Sequence, residues 1–118
     1  MDFQELKNKM QMSLKGISEF FGIDYKTIQK WNTGYRTAPD YVISLMNYKW
    51  EHKDCNVVIE KVSTGAELFE KIAISINAIS EFFGIPSRTI YGWTNGSRTA
   101  PDYVISLMNY KWDCENKK

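Results

Sequence analysis

The chain has 118 residues, 43% of them hydrophobic and 25% charged, with 3 prolines. This composition is globular and excludes disordered, collagen-like and low-complexity classes, and no apolar run approaches the roughly 18 residues of a membrane helix. The formal net charge of +1 excludes a uniformly basic coat for nucleic acid, but not a basic patch, because net charge does not say where charge sits.

The N-terminal stretch MDFQELKNKM carries acids and lacks the apolar core of a signal peptide, so a cytoplasmic location is expected. Two cysteines and one histidine are too few for a zinc site or a disulfide framework. Cys55 and Cys114 are expected as free thiols, since disulfides are rare in the cytoplasm. The sequence holds no paired carboxylates at catalytic spacing, no Gly-rich phosphate loop and no metal-ligand cluster. No enzymatic activity, cofactor, metal or small-molecule ligand is therefore expected.

The chain repeats itself. Residues 17–50 and 79–112 align at an offset of 62, with 26 of 34 positions identical. Weaker similarity extends upstream through Glu5/Glu67, Leu6/Leu68, Lys9/Lys71 and Ser13/Ser75. Two copies of such a short unit are each near the lower size limit for independent folding, so they are expected to pack together. The eight differences fall at 24, 25, 26, 29, 30, 32, 33 and 35, inside one 12-residue window, and at their counterparts 62 residues on.

Taken in chain order, each unit reads as helical. Asp2 with Glu5, and Thr64 with Glu67, have the spacing of a capping box. Leu6, Met10 and Leu14 continue into Ile17, Phe20 and Phe21 at helical spacing, and Leu68, Ile72, Ile76, Ile79, Phe82 and Phe83 repeat the pattern. Gly22 and Gly84 interrupt it and suit a positive-φ turn. A short helix is predicted over 25–33 and 87–95, with Asp24 as N-cap of the first and Pro86 opening the second. Ile28 and Trp31 face inward, as do Ile90 and Trp93, and Phe20, Phe21, Phe82 and Phe83 read as core. Gly34 and Gly96 suit left-handed helix ends. Thr37 and Thr99 are expected to cap a last helix, about 38–52 and 100–113, with Pro39 and Pro101 in its first turn. His52 reads as a solvated helix-end residue that favours the C-terminal dipole. Val57–Val62 is β-branched and suits either a short strand or an extended linker. The predicted architecture is all-α, with units 1–56 and 67–118 of about four helices each, joined by a linker over 57–66.

Two helices joined by a tight Gly-Ile turn, with a small residue inside the first, have helix-turn-helix spacing. Ile17, Ser18, Phe21, Gly22, Ile23, Ile28 and Trp31 fill its apolar, small and turn positions. Ile79, Ser80, Phe83, Gly84, Ile85, Ile90 and Trp93 fill them again. The sequence resembles the phage-repressor-like helix-turn-helix family of lambda repressor and Cro type. The resemblance is greatest to small members with a W-x-x-G-x-R-x-x-P-x-Y-V stretch, here Trp31, Gly34, Arg36, Pro39, Tyr41 and Val42. Trp93, Gly96, Arg98, Pro101, Tyr103 and Val104 repeat it. The tandem duplication departs from the family, whose members usually pair as separate subunits. The resemblance implies sequence-specific duplex DNA binding by a small bacterial or phage transcriptional regulator.

A recognition helix presents its outer residues to the major groove. The expected outer face is Tyr25, Lys26, Gln29, Lys30 and Thr33 in the first copy, and Ser87, Arg88, Tyr91, Gly92 and Asn95 in the second. Gln29 suits adenine, and Lys26 or Arg88 suits guanine. Arg36 and Arg98, just past the helices, suit phosphates. Residues 24–36 carry Lys26, Lys30 and Arg36 against Asp24, and residues 86–98 carry Arg88 and Arg98 with no acid, so each window is +2 and the rest of the chain −3. Near-neutral total charge and 14% aromatic residues leave an alternative: a protein-binding module, such as a phage-encoded inhibitor of a host protein. A third arrangement places one unit on DNA and the other on protein, the second unit being the less DNA-like.

The last helix carries more apolar surface than one small core needs: Tyr41, Val42, Ile43, Leu45, Met46, Tyr48 and Trp50 cover over half its circumference. Residues 36–50 and 98–112 are identical, which suits a pseudo-twofold contact. Tyr41, Leu45, Tyr48 and Trp50, with Tyr103, Leu107, Tyr110 and Trp112, are the expected interface, within one chain or between two copies as a homodimer.

Overall fold

A computed structural model describes residues 1–116 and is all-α. Its helices are α1 (Phe3–Met10), α2 (Leu14–Phe21), α3 (Tyr25–Thr33), α4 (Asp40–Glu51), α5 (Gly65–Ile72), α6 (Ile76–Phe83), α7 (Ser87–Asn95) and α8 (Asp102–Asn116). Among the described residues none of these helices is long and apolar enough to cross a membrane. In the first repeat α2 packs on α3, and α1 on α3 and α4; in the second α6 packs on α7, and α5 on α7 and α8. The most extensive helix pairing joins the repeats, α4 against α8.

The apolar run from Leu6 to Phe21 is not one continuous helix. Gln11 and Ala73 both adopt left-handed backbone, φ 52°, and end α1 and α5. Ser13 and Ser75 then restart the chain, each hydroxyl oxygen accepting from the backbone N–H three residues on, Gly16 and Ala78. The break escapes a reading from periodicity because it falls on non-glycine residues, which rarely visit that region. Asp2 and Thr64 accept from the N–H groups of Glu5 and Glu67, so the first helix of each repeat is capped in the same way.

The α2–α3 turn is built identically in both copies. Gly22 and Gly84 take φ 67° and 68°. The Ser18 hydroxyl donates to the Ile23 carbonyl at 2.5 Å, and Ser80 donates to Ile85 at 2.5 Å. The small residue therefore does more than permit close approach: it satisfies a carbonyl inside the turn. Ile23 and Ile85, 2% and 1% exposed, seal the turn into the core.

Two expected caps are different in the structure. Thr37 and Thr99 do not cap α4 and α8; α4 starts at Asp40 with Pro39 in the N-cap position, whose carbonyl accepts from Val42 and Ile43. Pro101 does the same for Val104 and Ile105. Asp24 holds the N-cap position of α3 but makes no side-chain capping bond.

The repeats differ at the start of their first helices. Phe3 packs on Trp31 with ring centroids 5.9 Å apart. Gly65 stands at the matching position, and a Cβ there would lie 3.6 Å from the ring of Phe69. Phe69, where the first repeat has Lys7, packs partly buried beside Gly65.

The segment between the repeats is extended, with neither helix nor strand over residues 57–63, and helix α5 begins at Gly65, inside the expected linker. It is fastened to the second repeat. The Glu60 N–H donates to Asp113 Oδ2 at 2.9 Å, and the Glu60 carbonyl accepts from Lys71 Nζ at 3.0 Å and Asn109 Nδ2 at 2.8 Å. Cys55 and Cys114 form a disulfide, which overturns the expectation of free thiols. The offset of the repeat concealed this pair, because Cys114 aligns with His52 and Cys55 with Lys117, so neither cysteine has a cysteine counterpart.

Candidate functional site

Helix α3 lies with Ile28 and Trp31 buried and with Tyr25, Lys26, Gln29, Lys30 and Thr33 exposed; Arg36, beyond it, is exposed too. Helix α7 buries Ile90 and half-buries Trp93, and exposes Ser87, Arg88, Tyr91 and Asn95, with Arg98 exposed beyond it. Each repeat therefore exposes seven of its eight altered positions. The exceptions are Asn32, which accepts from Gln4 Nε2 through its carbonyl at 3.0 Å and Oδ1 at 3.1 Å, and Gly92.

Gly92 corrects the expected outer face, because it is buried. A Cβ at Gly92 would sit 3.5 Å from Cγ and Cδ of Arg98 and from the Ser97 hydroxyl. The Arg98 stem thus lies across α7 at the spot where α3 carries exposed Lys30. The backbone turn beneath is common to both: the Arg36 N–H donates to the Lys30 carbonyl at 3.2 Å, and that of Arg98 to Gly92 at 3.1 Å.

Thr33 and Asn95 each commit one polar atom locally. The Thr33 hydroxyl donates to the Lys30 carbonyl at 3.3 Å, and Asn95 Oδ1 accepts from the Ser97 N–H at 2.8 Å. Tyr35, 76% exposed, stands at the end of the same face but outside the expected set. Its signal in the sequence is its place among the altered positions. Among the described residues the ion pairs are Lys9–Glu51 and Lys71–Asp113, neither on this face.

Both helices flank one end of the α4/α8 pair. Trp31 of α3 meets Tyr103 of α8 edge-on at 5.9 Å, and Tyr41 of α4 meets Trp93 of α7 edge-on at 6.0 Å. Each short helix is thus fastened to the first turn of the other repeat's last helix. At the opposite end, the Tyr48 hydroxyl donates to Glu115 Oε2 at 2.7 Å and the Tyr110 hydroxyl to the His52 carbonyl at 2.5 Å. His52 is half-buried and stacks on Tyr48 at 3.9 Å, so it is less solvated than a free helix end.

Between these ends lie Leu45 and Leu107, each 1% exposed. Lys49 Nζ sits 5.4 Å from the Phe20 ring centroid and 5.3 Å from that of Tyr110; Lys111 Nζ sits 5.4 Å from Phe82 and 5.3 Å from Tyr48. Burial pushes both ammonium groups below the usual lysine range. Burial also pushes the hydroxyls of Tyr41, Tyr48, Tyr103 and Tyr110 upward, and Glu115 adds to this at Tyr48. Trp50 and Trp112 pack within their own repeats, on Phe20 at 5.7 Å and Phe82 at 5.3 Å.

Among the described residues no three or more His, Cys, Asp and Glu side chains are grouped to hold a metal. Compared with protein-family models, with curated proteins and with solved structures, the chain has no match.

Proposed function

We propose that the protein binds duplex DNA through the exposed faces of α3 and α7, as a small regulator of bacterial or phage type that acts by occupying its site. One observation carries the proposal. The two repeats differ where these helices meet solvent, and the same faces hold Lys26, Lys30, Arg36, Arg88 and Arg98 with no acidic partner among the described ion pairs. Lys26, Gln29 and Arg88 are the base-reading candidates, with Arg36 and Arg98 on phosphates. That α3 and α7 both contact the first turns of the α4/α8 pair supports a reading in which one chain places two reading heads on one duplex. Anisotropy titration of labelled random duplexes at several salt concentrations tests this. Phosphate neutralisation makes log K fall linearly with log salt, so affinity should drop steeply between 50 and 200 mM salt.

A second reading has its own support. Tyr25, Tyr35 and Tyr91 are 43%, 76% and 59% exposed on this face, and exposed aromatics also suit a protein partner. Salt-insensitive or absent duplex binding would favour that reading.

A further inference from the structure

We infer that the DNA site is not a palindrome: one chain reads two unlike half-sites in a fixed orientation. The inference rests on the duplex-binding proposal and deepens it. Ordinary twofold pairing of identical reading heads demands a symmetric site. Here the scaffold is pseudo-symmetric while the heads are not. The contacts Trp31–Tyr103 and Tyr41–Trp93 mirror each other, as do the aromatic pairs flanking Lys49 and Lys111.

The heads differ in chemistry. The α3 face offers two ammonium groups, an amide and a phenol, on Lys26, Lys30, Gln29 and Tyr25. The α7 face offers one guanidinium, with its phenol and amide at other positions, on Arg88, Tyr91 and Asn95, and Gly92 lies under the Arg98 stem. A bidentate amide at 29 suits adenine, whereas Tyr91 brings an aromatic edge that suits a thymine methyl. Gly92 also leaves room for the stem of the arginine proposed for phosphate. The Arg98 stem lies on α7 at Gly92, a position that Lys30 occupies on α3. The two halves thus differ in base-reading groups and in the surface beside the arginine that follows the helix.

Binding-site selection from random duplexes with the full chain tests the inference. The expected consensus has two different half-sites, bound by one chain per duplex. Replacing residues 86–97 with the sequence of 24–35 makes the heads alike and should turn the consensus into a palindrome of the first half-site. The reciprocal replacement should give a palindrome of the second, and circular dichroism checks that both variants fold. A palindromic consensus for the natural chain, or an unchanged consensus after either replacement, overturns the inference. Failure to select any duplex overturns the duplex-binding proposal itself, and is distinguished by the absence of enrichment.

Discussion

The α4/α8 seam and the α3/α7 face treat the same duplication in opposite ways. Across the seam, residues 36–50 and 98–112 are identical; Trp31–Tyr103 is mirrored by Tyr41–Trp93 and Lys49–Tyr110 by Lys111–Tyr48, while the Tyr48 and Tyr110 hydroxyls bond different partners. On the face, each repeat exposes seven altered positions, while within the same window Thr27, Ile28, Trp31 and Gly34 match Thr89, Ile90, Trp93 and Gly96. A self-complementary contact constrains both copies at once, because a change in one partner must suit the other. A ligand-reading face has no such constraint and is free to diverge, provided the buried side of its helix stays the same.

That contrast sets the order of expected effects. Leu45→Ala and Leu107→Ala each remove a fully buried side chain from the seam and should cost about 2–5 kcal/mol. Because the seam is pseudo-symmetric, the two losses should agree within about 1 kcal/mol of each other. Urea unfolding measures both, and a large loss at one site with none at the other would break the symmetry argument.

The disulfide is the next largest contribution. Cys55 and Cys114 are separated by 59 residues, and cross-links of this kind contribute about 2–4 kcal/mol. Reduction should lower the unfolding midpoint accordingly but leave duplex affinity nearly unchanged, since the bond lies at the far end of α4/α8 from α3 and α7. Equal midpoints for oxidised and reduced protein would show that the bond adds nothing to stability.

A third comparison sets one repeat's polar cluster against the other's. Lys9 bonds Asn47 at 2.7 Å and pairs with Glu51 at 3.2 Å, all partly open to solvent. Lys71 bonds Asn109 at 2.7 Å and pairs with Asp113 at 2.8 Å, but there the linker covers the cluster and the Asp113 side chain is 1% exposed. Asp113→Ala should cost about 3 kcal/mol by stranding a partly buried ammonium, and Glu51→Ala less than about 1 kcal/mol. Equal costs would mean that the linker does not shield the second cluster.

Much of the fold was legible from residue types with narrow conformational roles. Gly22 and Gly84 marked the turn, Ile28 and Trp31 gave the buried side of α3, and the wide apolar arc of the last helix pointed to extra burial. The helix break at Gln11 and Ala73 was not legible, since nothing in an apolar period marks a non-glycine residue in left-handed backbone. Nor was the Cys55–Cys114 bond, which depends on the path of the linker. At the candidate site, the outward positions of α3 were readable from its period. Gly92 was misplaced because the covering group, Arg98, arrives from beyond the helix.

On the face itself the expected effects on stability are smallest. Lys26→Ala and Arg88→Ala should each weaken specific duplex binding by about 1–3 kcal/mol while changing stability by less than about 0.5 kcal/mol. Arg36→Ala and Arg98→Ala should weaken all sequences alike and flatten the salt slope by about 1 each. Four variants that bind as the natural chain does would remove the face from the account.

Amide chemical-shift mapping on titration with duplex DNA tests the central claim most directly. Shifts should concentrate on residues 25–36 and 87–98, leaving the linker and the C-terminal halves of α4 and α8 undisturbed. Shifts centred on the linker or on the Cys55–Cys114 end, or none at all at low salt, would contradict it.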